Sequence, residues 1–202
     1  LSRPRPYLVY VMDSMNAVAR ELWCHDPEFL FHPRKPISET DQSRLGSVLC
    51  ASETGQATSE AIASSKFCLT FASQGLMKVK NNSIDLVDAM VAGCVPVIIS
   101  HGYLHSLPFQ DLLDWTKFSV IVSVSCSWCS SLEKDLGKVK DYLKSMPEKR
   151  YRELQRSAIS ASKTHLQWHV PPRPYDAFHM LMHQLWLRSH SVRYIRRVIG
   201  RS

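Results

Sequence analysis

No stretch of this 202-residue chain approaches the ~18 consecutive apolar residues that a membrane-spanning helix needs, and no signal-peptide pattern opens it. It carries no Cys/His finger, no aromatic strand of the RNA-reading kind and no coiled-coil repeat, so a nucleic-acid module lacks its usual signals. The lone CxxC, Cys126 to Cys129, has neither the second pair a zinc site needs nor the setting of a thioredoxin motif. It reads as a loop or a local disulfide. His165 with His169 has His-x3-His spacing without the Glu of a zincin, and packing or an inter-helix hydrogen bond is favoured over a metal; His179 with His183 repeats the spacing on the last helix, where a domain-packing helix is favoured. No internal repeat is visible.

What is present is a basic chain, formally +7. Basic proteins meet nucleic acid, membranes or acidic polymers. Much of the excess lies between Arg188 and Arg201, with Arg193, Arg196 and Arg197 clustered, and the central loop adds Lys78 and Lys80. Six cysteines in a domain of this length do not by themselves indicate a disulfide scaffold, and Cys68 and Cys94, in apolar surroundings, read as packed thiols.

The pattern along the chain alternates strand and helix. Apolar runs at Tyr7–Met12, Phe67–Phe71, Val95–Ile99 and Ser119–Val124 read as strands. Helices are expected over Asn16–Trp23, Ser59–Ser65, Phe109–Trp115, Leu132–Ser145, Glu148–Gln167 and Tyr175–Ser189. The polar stretch from His32 to Thr58 is a connection with a strand near Val48 and Leu49. The order predicts a single α/β domain, with residues 1–6 as a linker, 7–187 as the core and 188–202 as a basic tail. The most informative segment is Ile84–Ile99. Leu86, Val87, Met90 and Val91 share one helical face, Asp85 and Asp88 lie off it, Gly93 ends the helix, and an apolar strand follows at once. Taken alone, Asp88 is a solvated helix carboxylate.

Several ordered motifs change that reading. They are Lys66 to Leu69, Asp88 with Ala89, Gly93 to Ser100, Leu107-Pro108-Phe109, Leu113-Asp114-Trp115 with Phe118 to Val120, Pro147 to Tyr151, Trp168-His169, and Tyr175 to Met180. In this order they resemble the exostosin-like glycosyltransferases, glycosyltransferase family 47, above all the plant branch. The resemblance runs from about Ser65 to Trp186. It implies a Rossmann-like open parallel sheet with helices on both faces, the C-terminal, donor-binding half of a two-domain GT-B enzyme. It also implies an acceptor-side half and a membrane anchor upstream, in the Golgi membrane with the domain on its lumenal side. The expected chemistry is inverting, metal-independent transfer from a UDP-sugar to a polysaccharide or glycan acceptor. UDP-sugar is then a substrate; no cofactor, metal or nucleic-acid partner is expected.

The expected donor site follows from that likeness and from the rule that ligands sit beyond the carboxyl ends of parallel strands. Asp88 would hold ribose hydroxyls. Lys78 and Lys80, with Asn82, Ser83 and the start of the following helix, would hold the diphosphate, where helix N–H groups and cations meet the leaving charge. Otherwise Lys78 and Lys80 stand on an exposed loop. Tyr103 and Ser106 would line the nucleotide or sugar edge. Asn81-Asn82-Ser83 is also a glycosylation sequon, but a glycan there would block the diphosphate. No general base is assignable from this half. Three departures stand against donor binding. Phe71-Ala72-Ser73 replaces the family's Pro-x-Gly, Asp85 stands where an Arg is usual, and Ser106 replaces an acidic residue. A carboxylate at Asp85 would oppose a diphosphate by about 1 kcal/mol or more. The alternative is therefore a catalytically degenerate module that serves as scaffold or partner of an active transferase.

Overall fold

The computed structural model describes residues 4–12, 22–31, 58–72, 86–100, 107–124 and 131–199. Its centre is a five-stranded, wholly parallel sheet. The strands are β1 (Tyr7–Val11), β2 (Phe29–Phe31), β3 (Ser65–Ala72), β4 (Val95–Ser100) and β5 (Val120–Ser123), in the order β2-β1-β3-β4-β5. Register is fixed by pairs such as Val9 with Phe67, Phe67 with Val95, and Val97 with Val120. The four strands read from apolar runs are all present, within two residues at their ends. Strand β2 was not anticipated, because three residues, Phe-Leu-Phe, are too short to show alternation. The strand expected near Val48 and most of the helix expected over Asn16–Trp23 lie outside the described residues.

Successive strand residues point to opposite faces, and the core divides accordingly. Val9, Val11, Phe67, Leu69, Val95, Val97 and Ile99 face one side, where they meet Leu136, Val139 and Leu143 of α3 (Ser131–Ser145). Tyr10, Cys68 and Ile98 face the other, towards α1 (Thr58–Ala63) and α2 (Leu86–Val91). Helix α4 (Glu148–Ala161) joins the two sides: Tyr151 and Leu154 belong to the first cluster and Ala158 to the second. With both faces covered, β4 can be apolar throughout, and all six of its residues are buried.

The entry to the domain is tied down by one side chain. Arg5 donates to the carbonyls of Ser65 at 2.6 Å, Ala92 at 2.5 Å and Ile62 at 3.4 Å. Ile62 and Ala92 lie at the carboxyl ends of α1 and α2, where a cation meets otherwise unpaired carbonyls. Gly93 ends α2 as expected, at φ +83°, and a Cβ there would come within 2.8 Å of the Arg5 guanidinium. Gln155 completes the joint, donating to the Gly93 carbonyl at 2.8 Å.

Four expectations need correction. Cys68 and Cys94 are not thiols; they form a disulfide, Cα–Cα 5.7 Å, joining β3 to the entry of β4. Parallel pairing of Phe67 with Val95 puts the two cysteines side by side, which their separation of 26 residues conceals. The segment from Phe109 to Trp115 is a turn, not a helix, because Phe109 takes φ +52°. Only Trp115–Lys117 is helical, as a 3-10 turn that Asp114 caps by accepting from the Thr116 N–H. The helix over Glu148–Gln167 is α-helical only to Ala161 and widens into a π turn, Ser162–Leu166. The final helix, α5, begins at Ala177 rather than Tyr175, because Tyr175 is left-handed at φ +64°. It also runs on to Ile199, through much of the stretch read as a basic tail.

Candidate functional site

In an open parallel sheet the ligand crevice lies outside the carboxyl ends of the strands, where the strand order reverses. Here the chain goes from β1 out to β2, then returns to β3 on the other side of β1. The crevice is therefore beyond Val11 of β1 and Ala72 of β3. Because β3 and β4 are parallel, the chain must return through α2 between them, so its first turn lies at that edge. Asp88, third residue of the described helix, is exposed. Ala89 and Met90, its neighbours in sequence, are fully buried and hold the helix against the sheet. A fixed backbone and a solvent-facing carboxylate are what a ribose-hydroxyl acceptor requires.

Of the residues assigned to the donor from sequence, Asp88 alone is described. Lys78, Lys80, Asn82, Ser83, Tyr103 and Ser106 lie outside the described residues, as do Asp85 and the CxxC at Cys126 and Cys129. An open groove of about 580 Å³ lies elsewhere, along the outer edge of β5 against α3 and α4, with Ser119, Ser123, Lys138, Tyr142 and Arg150 on its walls. It contains no residue assigned from sequence.

A second polar centre was not read as such. Asp176 is fully buried at the start of α5. It accepts from the Arg173 N–H at 2.9 Å, the His179 N–H at 3.2 Å and His179 Nδ1 at 3.0 Å, while His169 Nδ1 stands 3.8 Å away. Burial works against its ionisation, but these hydrogen bonds and the His179 imidazole prevail and hold the carboxyl well below the usual range. His165 adds a contact from its Nδ1 to the Tyr175 carbonyl at 3.0 Å. The four residues thus seat α5 on the π turn, which packs on α2. The signal available in sequence was an Asp placed three residues before a His, at an N-cap position followed by an apolar helix. Of the two His pairs, His165 and His179 make local hydrogen bonds, to the Tyr175 carbonyl and the Asp176 carboxylate.

The geometry can be set beside known proteins. Residues 2–126 match the Exostosin GT47 domain. A protein of Arabidopsis thaliana named as a probable glycosyltransferase is 41% identical over 106 residues, which cover 52% of this chain and 20% of that protein. A rice protein named as a probable glucuronosyltransferase is 36% identical over 101 residues, 50% of this chain and 21% of the relative. Human exostosin-2 is 38% identical over 73 residues, 36% of this chain and 9% of its own length. The chain therefore spans about a fifth of the length of the two plant relatives and less than a tenth of the human one.

Proposed function

The chain belongs to the exostosin GT47 family, and on that premise we propose that it is the donor-binding half of an inverting, metal-independent glycosyltransferase acting from a UDP-sugar onto a polysaccharide or glycan. The observation that carries the proposal is the exposed Asp88 on the first turn of α2, at the edge of the sheet where the strand order reverses. Its carboxylate accepts the ribose hydroxyls. Lys78 and Lys80, with Asn82 and Ser83, take the diphosphate and neutralise the charge that gathers on UDP as the glycosidic bond breaks. Tyr103 and Ser106 line the nucleotide or sugar edge. The general base for the acceptor hydroxyl comes from outside this domain.

The rice relative's name supports a uronic acid as the transferred sugar or as part of the acceptor. The disulfides support a lumenal setting. Cys68 and Cys94 are bonded to each other and Cys24 is disulfide-bonded as well, and such bonds persist in oxidising compartments. That agrees with the Golgi lumen and with an anchor supplied elsewhere in the protein; no described helix is long and apolar enough to cross a membrane.

Calorimetric titration with UDP tests the reading. Asp88→Asn is expected to weaken UDP binding about ten- to a hundredfold, the equivalent of one charge-assisted hydrogen bond, while leaving the far-ultraviolet circular dichroism unchanged. Equal affinity in the two proteins would remove Asp88 from the site. Absence of UDP binding by the wild type would overturn the donor reading altogether.

A further inference from the structure

Helix α5 presents a row of side chains that, beyond its first member, neither the fold nor the donor site uses. His179, His183, Trp186 and His190 follow one another at steps of four, three and four residues, so they share one face of the helix. Their rings are in register: His183 stacks on Trp186 with centroids 6.1 Å apart and 25° between planes, and His190 meets Trp186 edge-on at 4.3 Å. Trp186 is 57% exposed, and His183 and His190 are exposed beside it. The charge is of one sign. Ala177 to Ser202 holds Arg188, Arg193, Arg196, Arg197 and Arg201 and no Asp or Glu. His179 is already engaged by Asp176, which leaves His183 and His190 as the imidazoles facing solvent.

We propose that this row is a binding site for an acidic polysaccharide, with a sugar ring laid on Trp186 and carboxylates of the flanking sugars paired with His183 and His190. This rests on the glycan reading of the preceding section and adds the charge class of the polymer and the surface that holds it. The row from His183 to His190 is about 10 Å long at the α-helical rise, enough to meet one sugar and its two neighbours. An aromatic face with cations on both sides suits a ligand that alternates apolar ring faces with carboxylates. The oxidising setting implied by the disulfides argues against nucleic acid. A lipid surface would be met instead by the neighbouring apolar row, Phe178, Leu181, Met182 and Leu185, not by the imidazoles.

The test uses the full chain with polygalacturonate as the probe and neutral dextran of equal length as the control. Binding to polygalacturonate alone is expected, weakening as salt is raised. It should be tighter in mildly acidic than in neutral solution, because imidazole pairs with a carboxylate best when charged. Trp186→Ala should weaken it, and His183→Gln with His190→Gln should remove the pH dependence at a loss of about three- to tenfold at the acid end, as expected for two exposed charge pairs. These positions are exposed, so circular dichroism of each variant should match the wild type. Unchanged affinity in Trp186→Ala, pH dependence surviving the double His variant, or a DNA duplex or phosphatidylserine vesicle bound with the same dependence on Trp186 would each overturn the proposal. A chain that binds UDP and ignores polygalacturonate ends this inference and leaves the donor reading standing; one that binds polygalacturonate and ignores UDP does the reverse.

Discussion

Strand β4 and helix α5 are both rich in apolar side chains and meet opposite fates. Every residue of Val95–Ser100 is buried, whereas Phe178, Leu181, Met182, Leu185 and Trp186 stand 37% to 57% exposed. The difference is one of neighbours. A central parallel strand has a strand on either side and helices over both faces, so apolar residues are wanted at every position. Helix α5 is seated through its first turn, by Ala177, Met180 and the Asp176 centre, and then continues to Ile199. Hydrophobicity thus reports burial in the sheet and an outward-facing surface in the last helix.

The sharpest way to break the comparison is to truncate the sheet core. Phe67 is buried between Val9 and Val95 in register and lies edge-on to Tyr151 at 5.4 Å. Phe67→Ala should cost about 3–5 kcal/mol, the range for an aromatic lost from a closed core, read as a lower urea midpoint. Next is the covalent tie between strands. Replacing Cys68 and Cys94 together by Ala, or reducing the bond, should cost about 3 kcal/mol through the 26-residue separation that it closes, measured by the same unfolding curve with and without reductant.

The Asp176 centre gives a smaller, pH-dependent effect at the root of α5. Its carboxyl is held below the ordinary range in the folded chain, so its contribution is present above the unfolded pKa of about 4 and is lost as the pH falls below that value. Asp176→Asn should therefore be less stable than wild type at neutral pH, and the gap should close as urea curves are recorded from about pH 5 down towards pH 2. A gap that stayed constant over that interval would deny the carboxylate its role. The smallest effect sharpens the comparison from the other side. Leu185→Gln, on the open face of α5, should change stability by less than about 0.5 kcal/mol, against the several expected at Phe67, and a large loss would show that this face packs on something in the folded chain.

Much of the architecture was legible because it rests on local rules. The apolar runs of β1, β3, β4 and β5, the helix-to-strand turn at Gly93 and the amphipathic α3 follow from side-chain periodicity and from the left-handed conformation that glycine accepts. The exposure of Asp88 was legible in the same way, as a carboxylate off the packing face of α2. The misses have a common cause. Strand β2 exists because β1 offers an edge to three residues, Val9 pairing with Phe29. The Phe109 turn is closed by the Phe109 carbonyl accepting from the Leu112 and Leu113 N–H groups, and Trp115 Nε1 donates across it to Pro108.

Sequence by itself determined four of the five described strands and the helices α1 to α4 in outline, and that the sheet would be parallel and covered on both faces. Each of these depends on residue type and spacing, which the chain displays directly. Only the tertiary structure decided that Cys68 meets Cys94, that Arg5 closes the ends of α1 and α2, and that Asp176 is buried among His169, His179 and the Arg173 N–H. Those contacts join residues whose separation in sequence carries no signal, or whose geometry depends on a left-handed residue such as Tyr175. They form because packing two faces of one sheet brings distant backbone ends together, and buried polar groups must then find partners there.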